Sequence, residues 1–277
     1  MNARKLKVAC IQLRSSDDIQ ENVDTTSAMI RQAHSDGARF IATPENTTLM
    51  APDGGAKLEK SFSEKDDPAL PAFCDLANKL DVWLLIGSLA IKVSPTKTAN
   101  RSFLIGPDGR IAARYDKIHL FDVNLPSGET YRESNTVAPG DDAVVANLPF
   151  ARIGLSVCYD LRFPQLYRTL AKAGAEILTV PSAFTETTGK AHWHVLLRAR
   201  AIENACFVMA PAQGGEHANG RRTYGHSLII GPWGDIISEG GVDPGIVAAE
   251  IDLAEIAAAR GRVPALNHDR PYSPPGT

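Results

Sequence analysis

A chain of 277 residues with 44% hydrophobic residues and a formal net charge of −3 can bury a sizeable core and has the make-up of an ordinary globular protein. The mild acidity gives no case for nucleic acid or an anionic membrane surface as partner, and no apolar run reaches the ~18 residues of a membrane span. The four cysteines, Cys10, Cys74, Cys158 and Cys206, are widely spaced with no CxxC pair. That favours reduced thiols in a cytosol over a disulfide framework or a zinc site. The charged start Met1-Asn2-Ala3-Arg4-Lys5 feeds directly into a strand, unlike a secretory signal.

Residues 6–13 read as a first strand, with Cys10 in the core. Helical spacing over 17–34, with Ile19, Val23, Met29 and Ile30 as apolar positions, ends at Asp36-Gly37. Residues 39–44 form a second strand that Pro44 stops, and this leaves Glu45 at a strand's C-terminal end. The polar, Gly-bearing stretch 51–67 reads as an exposed loop over the site, and 68–79 as a helix with Cys74 on its apolar side. Residues 82–91 are a strongly apolar strand. Residues 100–105 and 110–115 make a hairpin about Gly106-Pro107-Asp108-Gly109. A strand–helix–strand order followed by hairpins predicts an α/β fold with mixed sheets. Lys117 lies where the hairpin's second strand runs out. The stretch 122–141 has no clear period, contains Ser127-Gly128, Glu129, Arg132 and Glu133, and reads as a site loop because long unstructured loops in compact domains are usually functional.

In Ala151-Arg152-Ile153-Gly154-Leu155-Ser156-Val157-Cys158-Tyr159-Asp160 an apolar strand ends abruptly in a thiol. Asp160 reads as the cap of a helix through 165–174. That would set Cys158 on a strand-to-helix turn, where backbone N–H groups and the helix end favour a thiolate and an oxyanion. Residues 176–181 form a buried strand, a long helix runs through Val195 to Asn204, and 206–213 form another strand with Cys206 in the core. The stretch 214–223 reads as a second covering loop. A hairpin over 225–230 and 236–239, a strand over 245–251, a helix over 253–260 and an extended Pro-rich tail from 263 follow. There is no internal repeat, Gly-rich phosphate loop or HExxH element. His192 and His194, two residues apart, point to different sides of a helix and make a poor metal pair.

Taken singly, a strand cysteine is most often inert core, a Glu a solvated loop carboxylate and a Lys a snorkelling surface residue. Glu45, Lys117 and Cys158 share one context, however, since each ends a strand. With Thr43-Pro44-Glu45, Tyr115-Asp116-Lys117-Ile118-His119-Leu120-Phe121-Asp122 and Gly154 through Pro164, the chain resembles the nitrilase superfamily of carbon–nitrogen hydrolases over nearly its whole length. It is most similar to the branch of deaminated glutathione amidases and omega-amidases. The pointers to that branch are Arg132-Glu133-Ser134-Asn135, Ala191-His192-Trp193, the stretch from Leu197 to Asn204, and Tyr224-Gly225-His226-Ser227.

The resemblance implies a four-layer αββα sandwich over a single domain, residues 1–277, with 263–277 as an extended tail. It also implies a cytoplasmic homodimer or higher homo-oligomer joined through helices, a small-molecule amide as partner, and neither metal nor organic cofactor. It makes Cys158 the nucleophile, Glu45 the general base and Lys117 the oxyanion stabiliser, aided by the Tyr159 N–H, with a thiol whose pKa Lys117 lowers. Glu133 becomes the second glutamate, with Glu129 its rival. Tyr159, Arg162, Arg132, Phe184, His192 and Trp193 become candidates for binding substrate. An Arg would clamp a remote carboxylate, although Arg162 and Arg132 could instead pair with Asp160 and Glu133. His194 departs from an acid common in the branch. The expected reaction is hydrolysis of a 2-oxo-acid amide, deaminated glutathione first and 2-oxoglutaramate second. The alternatives are a nitrile or N-carbamoyl amino acid hydrolase, or a thiol redox or interaction protein.

Overall fold

The structure is a computed structural model that describes residues 4–125, 128–273 and 275; Met1 to Ala3, Ser127 and Pro274 of the features above lie outside them. The first half comprises β1 (Lys5–Gln12), α1 (Ile19–Ser35), β2 (Phe40–Ala42), α2 (Gly54–Lys60), α3 (Ala69–Leu80), β3 (Trp83–Ser94), β4 (Lys97–Ile105) and β5 (Ile111–Asp116). Short strands β6 (Asp122–Asn124), β7 (Thr130–Arg132), β8 (Val137–Ala138) and β9 (Val145–Asn147) lead to β10 (Arg152–Leu155). The rest is α4 (Pro164–Lys172), β11 (Ile177–Thr179), α5 (Glu186–Asn204), β12 (Phe207–Ala210), β13 (Gly214–Glu216), β14 (Arg222–Tyr224), β15 (Leu228–Ile230), β16 (Ile236–Glu239), β17 (Gly245–Asp252) and α6 (Ala254–Arg262).

Two mixed sheets face each other. One runs β17-β1-β2-β3-β4-β5, with β8 also on β4; the other runs β16-β15-β12-β11-β10-β9. Side-chain alternation explains the layering. Val8 and Cys10 of β1 point into the sandwich, beside Ile153 and Leu155 of the other sheet, whereas Ala9 and Ile11 lie beneath Val23 and Ile30 of α1 and Phe73 of α3. Helices α4 and α5 cover the second sheet through Leu166, Tyr167 and Leu197. Where both faces of a sheet are covered, in β2, β11, β12 and β15, every residue of the strand is buried, whereas the edge strands β5 and β16 keep polar, exposed positions. This is the αββα sandwich with mixed sheets that the sequence predicts.

Topology brings the three strand ends to one rim. β1, β2 and β3 are mutually parallel, β4 reverses, and β5 reverses again, so β5 runs with β2. Glu45 after β2 and Lys117 after β5 therefore emerge on the same side. In the second sheet β10 and β11 are parallel, and their ends carry Cys158 and Ala183. Two glycines permit the close approach. A Cβ on Gly87 would lie 2.0 Å from the Thr43 carbonyl oxygen, and one on Gly140 would lie 2.2 Å from that of Asp116.

Several segments differ from the sequence expectation. The stretch 51–67 holds α2, capped by the Asp53 side chain accepting from the Ala56 N–H, and a 3-10 turn, Glu64–Asp66. The pair Gly54-Gly55 had hidden that helix, because glycine is a poor helix former. The site loop 122–141 and the covering loop 214–223 each contain a small ladder, β6–β7 and β13–β14, too short to show a period. Helix α5 starts at Glu186, ahead of Gly189: the Thr185 side chain caps it by accepting the Thr188 N–H, and Gly189 leaves the room that the Tyr224 ring fills. Asp160 is not a helix cap. Cys158–Arg162 is a 3-10 turn, α4 starts at Pro164, and Asp160 is fully buried. The tail is not wholly extended: the 3-10 turn Ala265–Asn267 docks on α4, where the Arg168 guanidinium donates to the Ala265 carbonyl at 2.9 Å and pairs with Asp269.

Candidate active site

Glu45, Lys117 and Cys158 line one cavity of about 500 Å³ and are 3%, 1% and 7% exposed. The turn carrying Glu45 is fixed by its own hydroxyls: Thr43 Oγ1 accepts the Gly87 N–H at 2.9 Å and Thr47 Oγ1 donates to the Pro44 carbonyl at 2.7 Å. Cys158 has φ 51, in the left-handed region that a non-glycine residue occupies only when its surroundings impose it. Its own N–H donates to the Pro181 carbonyl at 2.9 Å. Asp160 locks this turn against the Lys117 segment. It accepts from the Val157 N–H at 2.8 Å, the Tyr115 hydroxyl at 2.7 Å and the His119 N–H at 3.0 Å.

The Lys117 ammonium sits between two carboxylates, donating to Glu45 Oε1 at 2.9 Å and to Glu133 Oε2 at 2.9 Å. Asn100, on the neighbouring strand β4, donates to the same pair, at 2.9 Å to Glu45 and 3.2 Å to Glu133. Glu45 Oε2 accepts the Ala183 N–H at 2.9 Å, and Glu133 Oε2 accepts that of Phe121 at 2.7 Å. The Cys158 thiol lies close enough to the Glu45 carboxylate for each to shift the other's pKa. Glu133 is thus the second carboxylate at Lys117. Glu129 lies on the exposed loop, where its carboxylate accepts from the Tyr131 hydroxyl at 3.0 Å.

Burial works against charge throughout this cluster, and pairing overcomes it for two of the three groups. Burial opposes the Glu45 carboxylate, yet the Lys117 cation and its hydrogen bonds hold the carboxyl down from 4.5 to about 2. Burial likewise opposes the Lys117 ammonium, yet Glu133 and Glu45 raise its pKa well above the ordinary lysine value. For Cys158, burial and then the Glu45 charge push the thiol well up, and the opposing pull of Lys117 does not compensate. The resting pair is therefore a thiol beside a carboxylate, contrary to the expected lowered thiol. A carboxyl depressed below its unfolded value contributes stability above that value and loses it as pH falls through the folded one. Glu45 thus supports the fold above pH 4.5 and loses that contribution toward about 2. The acid limb of a kcat/KM profile is expected below about pH 4. A limb centred in the ordinary carboxylate range, in a profile taken on folded protein, would contradict this assignment.

The other sequence candidates separate. Tyr159 and Phe184 line the cavity. So does Arg132, whose guanidinium donates to the Tyr131 carbonyl at 2.7 Å and Asn124 Oδ1 at 2.8 Å rather than to Glu133. Arg162 lies outside the lining. It stacks over the Tyr159 and Phe184 rings at 5.8 and 5.6 Å and meets His192 Nδ1 at 3.3 Å rather than Asp160, whose oxygens are taken by the turn. His192 faces out from α5, and Trp193 is core, its indole N–H given to the His226 carbonyl at 2.7 Å.

Sequence reading missed Asn100, the Ala183 N–H, Lys57 and Arg221. The Lys57 ammonium donates to Asn46 Oδ1 at 2.8 Å, and its pKa is lowered, first by burial. Arg221 lines the cavity, lies 5.5 Å over the Tyr131 ring and donates through Nη2 to the Ala183 carbonyl at 2.8 Å; its buried Nε has no partner among the described residues. Neither cation stands in a motif, so only the cavity itself reveals them.

The carbon–nitrogen hydrolase family model matches residues 7–261. A deaminated glutathione amidase of Synechocystis is 42% identical over 94% of this chain and 96% of its own length. A human omega-amidase is 34% identical over 95% of each chain. Among solved structures, the C. elegans NitFhit protein superposes with a TM-score of 0.91 at 34% identity, over 98% of this chain and 66% of its own.

Proposed function

We infer the reaction from one premise: the chain belongs to the carbon–nitrogen hydrolase family. It is an amidase, and the observation that supports the catalytic roles is the buried Glu45–Lys117–Glu133 cluster next to Cys158. In the proposed cycle Cys158 Sγ attacks the amide carbon while its proton passes to Glu45. The oxyanion forms against the Lys117 ammonium and the Tyr159 N–H. As the ammonium turns toward the oxyanion, its hold on Glu45 weakens, and the carboxylate becomes a stronger base at the moment a proton must be taken. Glu45 then protonates the departing nitrogen, the C–N bond breaks, and a thioester remains. Water attacks the thioester, giving its proton to Glu45, which returns it to sulfur as the acid leaves. Glu133 keeps Lys117 aimed, and Asn100 holds the Glu45 and Glu133 carboxylates in place around it.

For substrate we propose a 2-oxo-acid amide, deaminated glutathione before 2-oxoglutaramate. Relatives are named deaminated glutathione amidase and omega-amidase. The cavity favours the larger, which has about twice the non-hydrogen atoms and suits a volume of ~500 Å³. Arg221 supplies the remote carboxylate clamp that the sequence sought in Arg162 and Arg132. Steady-state hydrolysis of deaminated glutathione, 2-oxoglutaramate and an N-carbamoyl amino acid in parallel tests this, with a kcat/KM preference for the first expected. A preference for the N-carbamoyl compound would move the enzyme to another branch. Arg221→Gln is expected to raise KM for deaminated glutathione ~10-fold or more, the worth of a charged hydrogen bond, with kcat little changed; an unchanged KM would remove Arg221 from the clamp.

We also propose a cytosolic homodimer. The four cysteines are free thiols, and α5 exposes Val195 and Ile202, two turns apart on one face, with exposed Trp233 next to Gly234, against which Ile202 packs. Among the described residues no helix is long and apolar enough to cross a membrane.

A further inference from the structure

We propose that His194, His226 and Glu239 form a binding site for a divalent transition metal of the Zn²⁺ class, separate from the catalytic cavity. The three residues come from three elements: His194 from α5, His226 from the turn before β15, and Glu239 from the end of β16. One ligand atom from each lies within 4.8 Å of the others. His194 Nε2 and His226 Nδ1 both sit 2.9 Å from the same oxygen, Glu239 Oε1. None of the three lines the cavity around Cys158.

The cluster is built rather than incidental. His226 has φ 53, a left-handed backbone that costs energy outside glycine and persists only where neighbours impose it. They do so here: its N–H donates to the Gly241 carbonyl at 2.7 Å, its carbonyl accepts the indole N–H of buried Trp193, and its ring stacks on Tyr224 at 4.4 Å. His194 follows Trp193 on the same helix and meets Tyr224 edge-on. Both rings are thus aimed at one carboxylate before any ion arrives.

Two imidazole nitrogens and one carboxylate oxygen make a three-ligand set that leaves a fourth position for water. The nitrogen donors favour Zn²⁺, Co²⁺ or Ni²⁺ over Mg²⁺ and Ca²⁺, which prefer oxygen. The ligand side chains are 25–36% exposed, so an ion can enter. On binding, the ring nitrogens that face Glu239 Oε1 give up their protons to solvent or to the other nitrogen of the same ring, so each imidazole ligates as a neutral ring with its proton on the nitrogen away from the metal. The ion would tie α5 to the β15–β16 hairpin. The sequence reading discarded His194 for lack of a partner at helical spacing; the fold supplies partners 32 and 45 residues away.

Chelator-treated full-length protein carrying Cys158→Ala, which removes the reactive thiol as a rival ligand, would be titrated with Zn²⁺ by calorimetry and with Co²⁺ by visible absorption. The expected result is one equivalent per chain and Co²⁺ bands without thiolate-to-metal charge transfer. Binding should weaken ~100-fold or more in His194→Ala and in Glu239→Gln, each shown folded by circular dichroism. Zn²⁺ should raise the thermal midpoint of the parent but not of these variants. Absence of stoichiometric binding, a thiolate band, or equal affinity in the variants would overturn the site. If both variants misfold, stoichiometry and the Co²⁺ spectrum of the Cys158→Ala protein decide alone.

Discussion

Cys158→Ala is expected to lower kcat by ~10⁴-fold or more while leaving the fold stable to within about 1 kcal/mol. The activity loss follows from chemistry. Without sulfur there is no thioester, and the remaining Lys117 and backbone donors face an oxyanion that nothing has formed. The mild effect on stability follows from position. The thiol is buried at the cavity floor rather than packed on all sides, so its removal enlarges an existing cavity of about 500 Å³ instead of opening a closed void. Nor does Glu45 lose its main partners, since Lys117, Asn100 and the Ala183 N–H all remain. Steady-state rates together with mass spectrometry of quenched turnover check this: the parent should carry an acyl adduct that the variant lacks. A variant that still turns over amide at a tenth of the parental rate would mean that Cys158 is not the nucleophile.

Lys117→Met should damage both activity and folding. The side chain is close in length, so the loss isolates the charge. Two buried carboxylates, Glu45 and Glu133, would then face each other with only the Asn100 amide between them. Removing one partner from a buried ion pair typically costs ~3–5 kcal/mol, and losing an oxyanion donor lowers kcat by about 10³-fold. The pH dependence separates this from simple loss of packing. In the parent the Glu45 carboxyl is depressed to about 2, so lowering the pH toward that value removes stability. In the variant the repulsion of two buried carboxylates raises one carboxyl above its unfolded value, so the folded state takes up a proton and gains stability relative to neutral pH as the solution is acidified. Urea unfolding at pH 5 and at pH 8 would show the variant losing less stability, relative to the parent, at the lower pH. A deficit independent of pH would mean that Lys117 contributes packing and not charge.

The chemistry-bearing residues were legible because each sits at a break in a strong local pattern. Pro44 ends a buried strand just before Glu45, an apolar hairpin strand runs out at Lys117, and an alternating strand stops at Cys158. Burial on both faces makes such strands stand out, and motif resemblance then joined the three residues. Glu133 was likewise legible through the resemblance, and Gly140 lets the chain pass against Asp116 beside Lys117.

What the sequence left open depended on contacts between distant segments, which carry no local signature. Asn100 reads as an ordinary strand residue until β4 aligns beside β5 and points it at both glutamates. Arg221 lies in a stretch that reads as a loop, and becomes a cavity cation only because the β13–β14 hairpin folds it toward the Ala183 carbonyl and Tyr131. Asp160 looked like a helix cap, a local role, but its acceptors are claimed by Tyr115 and His119 from another sheet. The protonation state of the Cys158 thiol was likewise decided by depth, since the cation that lowers a thiol pKa is outweighed by burial and the adjacent carboxylate. By itself, then, the sequence determined the main strands and the residues that end them, because hydrophobic periodicity is written residue by residue, and the layer order followed from the family resemblance. Tertiary structure alone decided which donors aim those residues, which cations line the cavity and how the charges are held, because burial and electrostatic pairing exist only once the two sheets meet.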